Sequence, residues 1–156
     1  MSENLDPDRA GAILADSVSS VFANMAFIDV ERGTPGSARG GDGERRAAID
    51  VLSPLSCRIE LTINEAIRDR VFDTLFGDAS EEEQKKAAED PLLEMLNIIA
   101  GSFLSGYFGS GVDIQLELPR YLYLGEVSPG QTVSAIALDA EGEPLKAAIS
   151  SVRYRY

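Results

Sequence analysis

Apolar positions along the chain fall into two periods, and the change from one to the other marks the elements. Asp6-Pro7 opens a first helix, because proline suits the first helical position and an aspartate can cap the amides behind it. Ile13, Leu14, Val18, Val21, Phe22 and Met25 then recur at helical spacing to about Phe27. After a glycine-rich interval, Ile49 and Val51 alternate with polar or small residues. Pro54 interrupts, and Cys57, Ile59, Leu61 and Ile63 alternate with Arg58, Glu60 and Thr62. That is period two, so two strands meet at a turn near Ser53-Pro54. Asn64 caps a second helix that places Ile67, Val71, Leu75 and Phe76 inward and ends at Gly77. Ser80 and Glu83 have the spacing of a capping box, and Glu81–Lys85 and Glu82–Lys86 are favourable i,i+4 pairs on a solvated surface. Asp90-Pro91 starts a further helix that runs through Phe108 to Gly109. Val112, Ile114, Leu116 and Leu118 then alternate as a strand stopped by Pro119, and "RYLYLGEVSPGQ" follows as a connection. "TVSAIALDA" and "PLKAAISSVRY" flank "EGE" as a terminal hairpin.

The order is helix, two strands, three helical pieces and three strands. It lacks the strand–helix alternation of a parallel doubly wound sheet. It predicts an α+β fold of two layers, with helices on one face of a mainly antiparallel sheet. The length, 156 residues, is that of one domain spanning 1–156. Residues 31–46, "ERGTPGSARGGDGERR", are rich in glycine and charge without periodicity, and are expected to form a flexible surface loop.

Composition narrows the chemistry. The net charge is −12, so neither nucleic acid nor an anionic membrane finds a basic face to bind. Histidine is absent, which removes the Ser-His-Asp triad, the Cys-His pair and every His-ligated metal site. One cysteine, Cys57, allows no intrachain disulfide and is expected to be a small buried hydrophobe. The start, "MSENLDPDRAG", has no apolar signal-like run, and no window is apolar over the length of a bilayer. A cytoplasmic protein is the expectation. Asp139, Glu141 and Glu143 surround a turn, where carboxylates are ordinary, so no metal of the chain's own is implied.

One stretch stands out. "EDPLLEMLNIIAGSFLSGYFG", residues 89–109, is apolar nearly all round, yet Glu94, Asn97, Gly101 and Ser105 fall within an arc of roughly 80° of the helix. A helix packed on a sheet has one wet line, and that alone accounts for Glu, Asn and Ser. Gly101 needs more, because glycine in a helix interior costs about 1 kcal/mol relative to alanine. Close approach of another backbone is the usual reason.

"LLEMLNIIAGSF" resembles the E-x-x-N-x-x-x-G signature helix of the CheC/CheX/FliY family of chemotaxis phosphatases. The resemblance extends over most of the chain, since the surrounding order of elements is similar, and it is nearest to the single-site CheX branch. Ser102 stands where Asn is frequent in that signature. The resemblance implies a CheC-like fold and dephosphorylation of a phosphorylated CheY-like receiver domain, with Glu94 and Asn97 as the functional pair. Glu94 would anchor the receiver through its active-site lysine. Asn97 would orient the attacking water, and Gly101 and Ser105 would leave room for the partner's loops. It implies Mg²⁺ in the receiver rather than in this chain, and a homodimer. Two-site members repeat E-x-x-N in the first helix; "ADSVSSVFANM" lacks it, so one site per chain is expected. The alternative within the same fold is a non-catalytic receiver-binding or flagellar-switch-type module. A buried Glu94 would favour that alternative, and an exposed one the phosphatase.

Overall fold

A computed structural model describes residues 5–33, 44–77 and 90–152. Among these, three helices, α1 (Pro7–Ala26), α2 (Glu65–Phe76) and α3 (Pro91–Phe108), pack on an open antiparallel sheet. The strands are β1 (Val30–Arg32), β2 (Arg45–Ser53), β3 (Cys57–Ile63), β4 (Gln115–Leu116), β5 (Arg120–Tyr121), β6 (Gln131–Ala140) and β7 (Glu143–Ser151). Their order across the sheet is β1-β6-β7-β3-β2-β4, and β5 pairs with β2 beyond β4's reach. The expected two-layer α+β architecture is the one found.

Register follows from the period-two pattern. In the β2–β3 hairpin Ala47 opposes Leu61, Ile49 opposes Ile59 and Val51 opposes Cys57, all buried under the helices. A slip of one residue would turn this whole row to the other face, so burial fixes the pairing. Ile59 and Leu61 in turn oppose Ile149 and Ala147 of β7, and Ile136 and Leu138 of β6 complete the layer. Cys57 is buried as expected, and burial first, then the nearby Asp50 charge, pushes its thiol up to about 12. It stays a protonated, inert thiol.

The helices close on this face with their own apolar stripes. Asp6 caps α1 through Asp8 N (3.2 Å), and Leu14, Val18, Val21 and Phe22 are buried, with Ile13 and Met25 packed at the margin. Asn64 caps α2 through Ile67 N at 2.9 Å. Ile67 and Val71 join the core, but Leu75 is exposed, so α2 buries a shorter stripe than its sequence suggests. In α3, Leu92, Met95, Leu96, Ile99, Ala100, Phe103 and Leu104 are all fully buried. Each large side chain of that row contributes roughly 1.5–3 kcal/mol over its exposed state.

Three readings of the sequence are corrected. The predicted 31–46 loop overlaps strand at both ends, where Val30–Arg32 pairs with β6 and Arg45–Ser53 pairs with β3. Charged Glu31, Arg32, Arg45 and Arg46 disguised those strand ends; residues 34–43 of that loop lie outside the described residues. The strand read from Val112 to Leu118 is only Gln115–Leu116, and Leu118 is 87% exposed. Its alternation is real, and Ile114 and Leu116 pack half-buried on the core, but only Gln115 and Leu116 form a ladder with β2. The connection before the last hairpin contains β5, which two residues cannot announce by period. The capping box at Ser80 and Glu83 and its neighbouring ion pairs also lie outside the described residues. The terminal hairpin forms as expected, turning at Glu141 (φ 51) and Gly142 (φ 97), the two left-handed positions of a tight two-residue turn.

The opposite face of the sheet carries charge. Arg58 meets its cross-strand neighbour Asp50 with two bonds of 2.7 and 3.1 Å, and Arg46 meets Glu60 at 3.1 Å. Residues 122–128 fold back here: Glu126 accepts from Arg120, and its carbonyl accepts from Arg46 Nη1 at 2.6 Å. The Arg120 hydrogen bonds, helped by the Tyr123 amide, hold the Glu126 carboxyl down to about 2. A depressed folded-state value stabilises the fold above the unfolded carboxylate range, and that contribution is lost as pH falls through it. The melting temperatures of the protein and of Glu126→Gln are therefore expected to differ fully above about pH 5 and to converge toward about pH 2. A gap that persists unchanged to the acid end would show that the carboxylate's ionisation is not what holds this segment.

Candidate functional site

Asp90 and Pro91 set where α3 begins. Asp90 Oδ1 accepts from Leu92 N at 2.9 Å, and the Glu94 amide donates to the Asp90 carbonyl at 3.2 Å, closing the first turn. Glu94 lies in that turn and Asn97 one turn on. With Leu92, Met95, Leu96 and Ile99 committed to the core, helical geometry leaves Glu94 and Asn97 no direction but outward, and both are exposed. Ser105 is exposed on the same line and Gly101 is half-buried. Ile98, 41% exposed, adds one apolar side chain beside Asn97. Among the described residues, no hydrogen bond or ion pair engages the Glu94 or Asn97 side chain. The four residues predicted as a stripe therefore stand together on one open face.

The close approach of another backbone expected at Gly101 is not found among the described residues. A Cβ there would meet nothing within 4 Å, so no part of the chain's described residues approaches it. The glycine that admits a neighbour is Gly106, where a Cβ would come within 3.0 Å of Ile13 Cγ2. Sequence reasoning overlooked it because both glycines look alike in a helix.

The rest of α3 is held firmly. α1 runs antiparallel to it, as Arg9 meets Tyr107, Ile13 meets Gly106 and Ser17 meets Ser102. Arg9 donates to the Tyr107 carbonyl at 2.9 Å and its guanidinium lies 4.4 Å from the ring centre, while the Asp6 amide donates to the Tyr107 hydroxyl at 2.8 Å. Ser102 Oγ lies 3.2 Å from Ser17 Oγ, so the serine at that departure from the signature joins the two helices. The stripe is thus borne on a rigid, anchored rod, which is what a positioned carboxamide and carboxylate need.

The shape of the site matters as much. A cavity of about 530 Å³ lies on the other flank of α1 against β1 and β6, lined by Asp8, Asp16, Glu31, Arg32 and Ser134 among others. None of Glu94, Asn97, Gly101 or Ser105 lines it. The stripe is a convex helix face, suited to a protein partner rather than to an enclosed small molecule. Asp139, Glu141 and Glu143 are engaged elsewhere: Asp139 accepts from Gly142 N, Glu141 pairs with Arg70 at 2.9 Å, and Glu143 accepts from Asn64 Nδ2 at 2.6 Å. Among the described residues no cluster of three or more His, Cys, Asp or Glu side chains could hold a metal ion, and no helix is long and apolar enough to cross a membrane.

Helices on one face of an open antiparallel sheet, with E-x-x-N presented outward from the apolar helix α3, define the CheC-like class of fold. The chain belongs to the family described as chemotaxis phosphatase CheX, whose pattern matches residues 46–139. A sequence search of curated proteins gives no match. Its fold is similar to that of the chemotaxis protein CheX from Desulfovibrio desulfuricans, at 16% identity and TM-score 0.70, covering 90% of this chain and 97% of that one. It is similar to a CheX–CheY–BeF3–Mg²⁺ complex from Borrelia burgdorferi, at 20% identity and TM-score 0.63, covering 91% and 97%. Thermotoga maritima FliY shares the fold at 16% identity and TM-score 0.56, covering 96% and 92%.

Proposed function

We propose that this protein hydrolyses the aspartyl phosphate of a CheY-like receiver domain in the cytoplasm, with Asn97 orienting the attacking water and Glu94 anchoring the partner. The observation that carries this reading is the outward presentation of Glu94 and Asn97 on α3, unengaged among the described residues. An acyl phosphate is already activated, and phosphoryl transfer asks mainly for positioning and charge stabilisation. A carboxamide offers an acceptor and two donors on a short arm, and it brings no charge into an anionic site. The water oxygen bonds to phosphorus, the bond from phosphorus to the receiver's carboxylate breaks, and inorganic phosphate leaves with the water's proton lost to solvent or to a phosphate oxygen. Mg²⁺ belongs to the receiver in this scheme, and this chain supplies no cofactor.

Glu94 serves docking by pairing with the receiver's active-site lysine. Gly101 and Ser105 present little bulk and so admit the partner's loops. The Borrelia burgdorferi neighbour is a complex of CheX with CheY, BeF3 and Mg²⁺, which supports a receiver as the partner. A homodimer is part of the same reading. Among the described residues β1 pairs with Leu138–Ala140 of β6 and Gly33 N donates to the Ala137 carbonyl, which leaves the start of β6 without a strand on that side.

The direct test mixes the protein with a panel of phosphorylated receivers and follows phosphate release. At least one receiver should lose phosphate faster than alone; if none does, the non-catalytic module is the better reading. Glu94→Gln is expected to raise KM roughly tenfold, as loss of one charge-assisted contact would, with kcat retained. Unchanged KM with a reduced kcat would reverse the roles given to the pair.

A further inference from the structure

The stripe is anchored at both ends, and at its N-terminal end a side chain from the sheet edge adds to the buried Leu92. Tyr121 lies in β5, where it opposes Ala47 of β2, and the adjacent Leu122 amide donates to the Arg46 carbonyl at 2.8 Å. Its hydroxyl donates to Asp90 Oδ2 at 2.9 Å. The other oxygen of the same carboxylate caps Leu92 N, and the Asp90 carbonyl accepts the Glu94 amide. One aspartate therefore joins three things: the edge of the sheet, the first free amide of α3 and the turn that carries Glu94.

We infer that Tyr121 is a positioning residue: through Asp90 it fixes the first turn of α3 against β5 and so aims Glu94 at the partner. This rests on the docking role proposed above for Glu94. Helix ends fray because their first amides lack intrahelical partners, and a cap that can itself rotate restrains them poorly. A second hydrogen bond removes that freedom, since an aspartate held by both oxygens has one orientation left. Arg45 lies with its guanidinium 5.7 Å from the centre of the Tyr121 ring, which restrains the ring from the β2 side. Burial of the phenol, followed by the Asp90 charge, pushes Tyr121 up to about 12, so it remains a donor throughout the neutral range. Asn97 lies a turn further on, beyond the bonds that Asp90 makes to the Leu92 and Glu94 amides. The consequence should fall on docking rather than on the chemical step.

Tyr121→Phe removes only the hydroxyl and keeps the ring. In receiver dephosphorylation it is expected to raise KM about fivefold with kcat within about twofold of the parent, and to add nothing in a Glu94→Gln background. In the free protein, amide exchange at Glu94 and Met95 should quicken while exchange in β3 and β7 stays as in the parent. An unchanged KM, or a fivefold rise that persists in the Glu94→Gln background, overturns the inference. If Glu94→Gln itself leaves KM unaltered, the docking role of Glu94 falls and not the anchor. The exchange measurement then decides alone, and unaltered exchange at Glu94 and Met95 overturns the anchor too.

Discussion

Asn97→Ala is expected to cut phosphate release from a phosphorylated receiver by about 10²–10³-fold, equivalent to roughly 3–4 kcal/mol of barrier. The figure is that of orienting a nucleophile, the one contribution this chain can make to an acyl phosphate bound elsewhere. Receiver affinity should change little, because an alanine still lets Glu94 reach its partner. The fold should be untouched, since Asn97 is exposed and no hydrogen bond within the described residues depends on it. The measurement is single-turnover phosphate loss at saturating protein, alongside a melting curve. Parent-like turnover in a folded Asn97→Ala protein would end the catalytic role. Loss of binding in place of turnover would move Asn97 to the docking function.

Gly101 gives the second large effect, and it separates stability from activity. A Cβ at this position meets nothing within 4 Å, so the chain has no need of a glycine there for its own packing. Gly101→Ala should therefore raise stability by about 1 kcal/mol, the helix-propensity difference between the two residues. Gly101→Leu should fold as well as the parent, because leucine is also a good helix former. Its side chain would stand on the open face one turn from Asn97, where it would displace the receiver. Misplacement of reacting groups by about 1 Å can cost about a hundredfold, and a loss of that size in kcat/KM is expected for Gly101→Leu. Parent-like phosphate release by a folded Gly101→Leu protein would show that no partner covers this part of α3. A destabilised Gly101→Ala would instead point to packing the structure does not contain.

The two substitutions bear on what a family match leaves open. Membership in the CheX family and a shared fold do not assign a role to any residue, and a fold hosts binding modules as readily as enzymes. The separation therefore has to come from turnover and affinity measured on the same variants.

Much of this molecule was legible before any coordinates. Periodicity placed α1, α2 and α3 and the two long hairpins, because each buries one face and so repeats its apolar residues at 3.6 or 2. Asp6, Asn64 and Asp90 announced three helix starts, since capping is a local hydrogen bond between neighbours in sequence. The stripe of Glu94, Asn97, Gly101 and Ser105 also followed from sequence, as helix geometry alone brings those positions to one line. Its outward direction did not. A wet line can face water or a polar seam, and only the full commitment of Leu92, Met95, Leu96 and Ile99 to the core decided between them. The same holds for the two glycines of α3. Gly106 admits α1 and Gly101 admits nothing of this chain's described residues, a distinction that depends on where another helix lies.

The pattern of apolar residues thus determined the elements and the line of candidate side chains, because both are consequences of local backbone geometry. The packing of α1 along α3, the tether from Tyr121 to Asp90 and the pinning of Glu126 were decided by the tertiary structure alone. The first two join residues 31 to 101 positions apart, and the third brings Arg120 of a two-residue strand and Arg46, 80 positions away, onto Glu126; such contacts leave no repeating mark in a single sequence.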